Sequence, residues 1–289
     1  MEVLTDLQHI IGLYEDSGFT DEVRDAFQSI IYEYYRVYQR DFPWRKTHDS
    51  YAILLSEIML QQTQTDRVIQ KYEAWLSVFP NFATLAIAEF PEVLRLWQGL
   101  GYNRRALALH TTAKMVVQNF AGSLPQDFDT MITLPGIGNY TAAAVCNFAF
   151  NKPVPLIETN IRAVYLHIFF HEHMQVHDKD LMPLIEQTID NHDPRLWFYA
   201  LMDCGAMLKK NVQNPSRKSA HHTRQTKFEG SDRQIRGKIV RILLQEHRLT
   251  GGQISTLLQE DMQRVEKIIN QLQCDQLITL RNEHYSLRE

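Results

Sequence analysis

Leu134-Pro135-Gly136-Ile137-Gly138-Asn139-Tyr140-Thr141-Ala142-Ala143-Ala144-Val145 is the most specific stretch of this 289-residue chain. Two glycines one residue apart permit a turn with positive φ and close approach by another backbone. The alanine-rich run that follows begins a helix, whose first N–H groups lack intrahelical partners and point out of the turn. Such an array binds an anion without any side chain and suits a nucleic-acid phosphate. Residues 128–132 read as a short preceding helix, so the unit is helix, hairpin, helix. The plainer alternative is an ordinary turn between two helices.

Outward from the hairpin, apolar residues recur at three- and four-residue steps over 27–38, 51–60, 68–78, 93–100 and 106–120, with further helices expected over 161–170, 179–190 and 195–208. Breakers separate them at Asp41-Phe42-Pro43, Pro80-Asn81, Gly99-Leu100-Gly101 and Gly122-Ser123-Leu124-Pro125. Residues 154–157 read as briefly extended. Periodicity fails over 211–231, where polar and basic residues take over, and that stretch is expected to be a basic linker. Beyond it, helices over 233–245, 253–258 and 263–275 precede strands over 277–280 and 284–287. Three helices and a hairpin in this order suggest a winged helix, an architecture used for DNA and protein contacts alike.

Composition excludes several classes. No apolar run approaches the roughly 18 residues of a membrane span, and the amphipathic, acidic start does not have the layout of a signal peptide, so a cytoplasmic protein is expected. Cys146, Cys204 and Cys274 lie far apart and form no Cys-x-x-Cys, which argues against a disulfide framework, a zinc knuckle or a four-cysteine cluster. Net charge is −4, but residues 209–248 carry +8 against −12 elsewhere. A basic strip on an acidic body is an electrostatic footprint for phosphate or, alternatively, a solvated linker.

The hairpin resembles that of the endonuclease III and MutY superfamily of base-excision glycosylases. Leu55-Ser56-Glu57-Ile58-Met59-Leu60-Gln61-Gln62-Thr63 is similar to the catalytic helix of the MutY-type adenine glycosylases in it. Phe42-Pro43-Trp44-Arg45, Leu96-Trp97-Gln98-Gly99-Leu100-Gly101-Tyr102 and Met202-Asp203-Cys204-Gly205-Ala206-Met207 resemble three further stretches, and the match runs from about residue 25 to 208. The resemblance implies an all-α, two-domain helix-hairpin-helix fold. Residues 1–48 would pack with 152–210, 49–151 would form a six-helix barrel holding the hairpin, 211–231 would be the linker, and 232–289 the winged-helix-like domain.

Glu57 stands among Ile53, Leu54, Leu55, Ile58, Met59 and Leu60, which would desolvate its carboxyl and keep a proton available near neutral pH. It could instead pair with a buried Arg or with backbone; the resemblance assigns it as the general acid of base excision. Glu158, where an extended segment enters a helix, is the candidate stabiliser of a cationic sugar, with the helix N-terminus expected to favour its charged form. A simple helix cap is the alternative, and relatives carry Asp here. Tyr140 occupies the position where strand-cleaving relatives have a Schiff-base Lys, which implies a monofunctional enzyme. Asn160 matches a residue that positions water. Gln61, Gln62 and Tyr102 match residues that fill or wedge the gap left by a flipped base. Leu134, Gly136, Ile137, Gly138 and Thr141 are the expected phosphate-binding residues of the hairpin, and Lys209, Lys210, Arg217 and Lys218 those of the basic loop.

Relatives close the catalytic region with four cysteines around an iron-sulfur cluster; residues 208–218 here hold none, so no cofactor and no metal are expected. The expected partner is double-stranded DNA with a mismatched or damaged base, bound by a monomer. The expected reaction is hydrolysis of the N-glycosidic bond of adenine opposite 8-oxoguanine or guanine. A thymine/uracil–guanine mismatch glycosylase and a non-catalytic lesion-binding protein are the competing readings.

Overall fold

The computed structural model describes residues 2–221 and 227–288. Along them run α1 (Glu2–Ser17), α2 (Asp21–Tyr38), α3 (Ser50–Leu60), α4 (Thr65–Val78), α5 (Phe82–Ile87), α6 (Phe90–Trp97), α7 (Arg104–Asn119), α8 (Phe128–Met131), α9 (Asn139–Phe150) and α10 (Thr159–Ile168). They continue as α11 (Asp178–Thr188), α12 (Pro194–Asn211), α13 (Asp232–Glu246), α14 (Gly251–Leu258) and α15 (Met262–Cys274), then β1 (Ile278–Arg281) and β2 (His284–Leu287). None of these helices is long and apolar enough to cross a membrane. Two compact units result: Met1–His48 with Gln126–Phe128 and Gly138–Arg224, and Asp49–Pro125 with Asp129–Ile137 and Gln225–Glu289.

In the first unit α2 buries Val23, Phe27, Ile31 and Tyr35, a single stripe at four-residue spacing. Its start at Asp21, earlier than apolar spacing alone indicates, follows from Thr20, whose hydroxyl accepts from Val23 N at 3.3 Å. Phe27 meets Tyr165, Phe169 and Trp197 edge-on, with ring centroids 5.7, 5.3 and 5.5 Å away, joining α2 to α10 and α12. The aromatic Phe42-Pro43-Trp44-Arg45 stretch is tied to α12 by charge. Asp203, its side chain wholly buried, takes Arg45 in a two-point bond at 2.8 Å per arm and Arg40 Nε at 2.6 Å. Burial works to raise the Asp203 pKa, but Arg45 and Arg40 overcome it and hold the carboxyl below its ordinary value.

Two boundaries differ from those expected. α9 packs in the first unit rather than with 49–137, because Phe148 stacks on Tyr199 at 4.3 Å and its carbonyl accepts from Arg195. Residues 211–220 are not a loose linker. α12 extends to Asn211, Pro215 and Ser216 are buried in a short 3-10 turn, and Val176 pairs with 218–220 through two backbone hydrogen bonds of 3.0 and 2.9 Å. Polar composition hid a segment held by backbone hydrogen bonds.

In the second unit α3 is buried over Tyr51–Met59, capped by Asp49, which accepts from Ala52 N at 2.7 Å. Trp75 Nε1 donates to Tyr51 Oη at 2.8 Å, and that hydroxyl donates to the Phe79 carbonyl at 2.8 Å, so α3 and α4 share satisfied polar groups inside an apolar core. α13–α15 and the hairpin form the expected winged-helix order. Leu249 bridges Tyr285 as a third strand position, and Ile278↔Leu287 to Arg281↔His284 set the register. This segment belongs to the same unit as α3–α7 rather than standing apart. Asp275 at the end of α15 takes both Arg236 of α13 and, at 3.5 Å, Arg104 of α7.

Candidate active-site residues

The 152–158 segment that delivers Glu158 is held like a strand by one side chain. Buried Asn147 on α9 donates to Val154 O at 2.8 Å and accepts from Val154 N at 3.4 Å. Glu158 is then the N-cap of α10, with Oε1 accepting from Asn160 N at 2.7 Å and Ile161 N at 2.9 Å. Asn160 Nδ2 donates to Oε2 at 3.3 Å, and Lys209 Nζ donates to Asn160 Oδ1 at 3.1 Å. The structure thus joins three expected site residues, Glu158, Asn160 and Lys209, in one chain of hydrogen bonds.

The expected direction of the Glu158 pKa shift is corrected. Burial raises its pKa, and the two backbone amides, Lys209 and Arg162 offset only part of that rise. The helix N-terminus holds the carboxylate, but desolvation wins.

Gly205 of α12 makes this geometry possible, and sequence reasoning did not single it out. A Cβ there would lie 2.0 Å from Asn160 O and 2.5 Å from its carbonyl carbon. Gly205→Ala is therefore expected to cost about 1–3 kcal/mol as an overpacked contact against backbone, read as a Tm lowered by several degrees. A wild-type Tm would show that the two helices are not held so closely.

Glu57 is 5% exposed, flanked on α3 by buried Ala52–Ser56, Ile58 and Met59. Where α3 ends, Gln61 is half-buried and Gln62 exposed, and Gln62 has φ +55°. Tyr102 is 41% exposed with φ +47°, after Gly99 at +92° and Gly101 at +71°. Left-handed backbone at a non-glycine costs about 1–2 kcal/mol, so something must hold both turns.

That something is Arg105, a residue missed in the sequence. Its Nη1 donates to the carbonyls of Ile58, Met59 and Gln61 at 2.7, 3.0 and 2.6 Å. Its Nη2 donates to Thr63 Oγ1, Leu100 O and Gly101 O at 3.1, 3.0 and 3.1 Å. The guanidinium also lies 5.3 Å from the Trp97 ring and 5.5 Å from the Tyr102 ring. Burial pushes its pKa down to about 10. The available signal was a cation in the first turn of α7, where the helix dipole disfavours one.

In the hairpin, Gly136 has φ +78° and would place a Cβ 2.7 Å from Ala108 Cβ, so both conformation and packing require glycine. Gly138 differs from expectation. Its φ is −92°, and a methyl group added there would meet no described atom within 4 Å, so nothing among the described residues demands glycine. Both glycines are exposed, Tyr140 is half-buried, and Gly138 caps α9 without any side-chain bond. Leu134, Ile137 and Thr141 are buried, which leaves their backbone to meet a phosphate, in keeping with an anion site that needs no side chain. The residues of the basic loop divide in two. Lys218 donates to the His171 carbonyl and Lys209 to Asn160, whereas Lys210 and Arg217 are exposed. Arg224, counted in the basic strip, lies outside the described residues.

Residues 55–187 match the family of HhH-GPD superfamily base excision DNA repair proteins. The adenine DNA glycosylase of Mycolicibacterium smegmatis is 32% identical over 262 residues, covering 83% of this chain and 88% of that protein. The chain belongs to the helix-hairpin-helix base-excision DNA glycosylases. The adenine DNA glycosylase of Mycobacterium tuberculosis is 42% identical to this glycosylase over 132 residues, 45% of this chain and 43% of that one. That of Buchnera aphidicola (subsp. Baizongia pistaciae) is 34% identical over 186 residues, 63% and 52%, so the chain spans about half the length of these two relatives. Among solved structures, a thermostable thymine-DNA glycosylase superposes with TM-score 0.59 at 28% identity, covering 66% of this chain and 90% of that one. A trapped endonuclease III–DNA covalent intermediate superposes with TM-score 0.53 at 16% identity, over 66% and 86%, which shows the shared fold.

Proposed function

We propose that this glycosylase excises adenine mispaired with 8-oxoguanine or guanine in duplex DNA, using water and leaving an abasic site. The observation that carries this is Glu57, a carboxyl buried in a mainly apolar helix whose end leads directly into the Gln61-Gln62 turn. Glu57 donates its proton to a ring nitrogen of adenine. The C1′–N bond then breaks with its electron pair leaving on the base. The ionised Glu158 stabilises the resulting oxocarbenium-like sugar, and water, oriented by Asn160, adds to C1′ and gives up a proton to the Glu57 carboxylate, which restores the acid. Tyr140 has no amine, so no imine with the sugar forms and the strand stays intact.

Gly138 supports a phosphate at the hairpin: open space over an uncapped helix start admits a partner that a methyl group would obstruct. Lys210 and Arg217 supply exposed charge for further phosphates.

Single-turnover excision on oligonucleotides carrying every mismatch, with and without 8-oxoguanine, tests the substrate. Fastest release of adenine opposite 8-oxoguanine is expected. Fastest release of thymine opposite guanine would transfer the assignment to the chemistry of the thymine-DNA glycosylase it resembles in fold.

The iron-sulfur cluster of relatives does not fit this donor set. Residues 208–218 hold no cysteine, and the buried Cys146 and Cys204 lie on separate helices, α9 and α12, whereas such clusters take four cysteine ligands. Purified protein is expected to be colourless; stoichiometric iron with visible charge-transfer absorbance would overturn this.

A further inference from the structure

We propose that Arg233 of α13 is a positioning residue for Tyr102, through which the C-terminal winged-helix segment takes part in opening the base pair. This role rests on Tyr102 being the wedge beside the flipped base.

Arg233 Nη1 donates to Tyr102 Oη at 2.9 Å, joining residues 131 positions apart. The contact does not join two loose segments, because the backbone that carries each residue is held in place. Tyr102 sits on a turn whose carbonyls at Leu100 and Gly101 are gripped by Arg105, with Trp97 Nε1 donating to Gly101 O at 3.0 Å. The Tyr102 ring has the Arg105 guanidinium at 5.5 Å. On the other side, Asp275 ties Arg236 of α13 to Arg104, which adjoins Arg105 at the start of α7. Arg264 joins α15 to α13 through Asp232, at 2.9 Å. The two C-terminal helices are therefore anchored one residue from the arginine that shapes the wedge turn.

A phenol on a turn can swing about its own side-chain bonds even when the backbone is held. Arg105 fixes the backbone and lies over one face of the ring; Arg233 fixes the hydroxyl, the end that enters the stack first. A wedge held in one direction before DNA arrives loses less side-chain freedom on insertion, and pre-organisation of this kind shows in the rate of opening rather than in overall duplex affinity.

The test uses the full chain with Tyr102→Ala, Tyr102→Phe, Arg233→Ala, Arg233→Lys and the Arg233→Ala/Tyr102→Phe double variant. Single-turnover excision of adenine opposite 8-oxoguanine is measured beside 2-aminopurine fluorescence of the flipped position. Tyr102→Phe and Arg233→Ala are each expected to slow excision and flipping by about tenfold, and the double variant by no more than either, since both remove one bond. Arg233→Lys, which keeps a donor, is expected to recover most of the rate. Affinity for undamaged duplex and Tm should stay at wild-type values in the Arg233 variants. Multiplying effects in the double variant, or a uniform loss of duplex affinity, would place Arg233 on DNA rather than on Tyr102 and overturn the proposal. Slow Tyr102→Ala beside wild-type Tyr102→Phe and Arg233→Ala would overturn it while keeping the wedge. A wild-type Tyr102→Ala would remove both.

Discussion

Glu57→Gln is expected to slow single-turnover excision of adenine by about 10²–10⁴-fold while leaving duplex affinity and fold intact. The amide matches the carboxyl in shape and can satisfy the same buried position, but it has no acidic proton for the leaving base. Because Glu57 is 5% exposed, bulk water and buffer acids have poor access to replace it. Excision within about threefold of wild type would show that the proton comes from elsewhere. Duplex binding measured in parallel separates this from a misfolded variant.

Glu158→Gln is expected to cost about 10²–10³-fold, the range for losing a fixed charge that stabilises a transition state, and Glu158→Asp far less. The structure sharpens the comparison, because Glu158 caps α10 and Asp is an equally good cap. A cap role alone therefore forecasts near-equal rates for all three proteins. The raised pKa adds a signature in pH. Activity requiring the carboxylate falls as pH drops through that raised value, so the acidic limb of the wild-type profile should lie above an ordinary glutamate and vanish in Glu158→Gln. Stability runs the opposite way: the fold binds this proton more tightly than the unfolded chain, so the contribution present at low pH is lost as pH rises through the folded value. Glu158→Gln should remove that decline.

Much of this is legible in the sequence itself. Glu57 inside six apolar neighbours reads as buried, and Glu158 before Thr159-Asn160-Ile161 reads as a helix start, because both depend on local sequence alone. The direction of the Glu158 pKa shift is not legible, since its cap bonds are local but its burial depends on how the chain packs around it. Lys209 and Lys218 show the same limit: counting charges cannot reveal that one is spent on Asn160 and the other on a carbonyl. Leu134, Ile137 and Thr141 carry the phosphate motif in sequence, yet their side chains serve the core. α5 escapes a periodicity reading because six residues are too few, although Asn81 and Thr84 form a capping box around its start. Arg105 and Gly205 act by contacts across 42 to 47 residues, where sequence offers only an oddity of placement.

The interleaving of the two units has a consequence for synthesis. α1 and α2 leave the ribosome before the helices that cover Phe27, which come from α10 and α12, after residues 49–137 have passed. At roughly 5–20 residues per second, the N-terminal pair spends several seconds with its apolar stripe uncovered. The second unit is no quicker, because it draws in residues from 225 onward. A product truncated before α12 therefore carries an uncovered apolar stripe on α2 and is a target for holding chaperones and proteases, and the first core has all its helices before the second does.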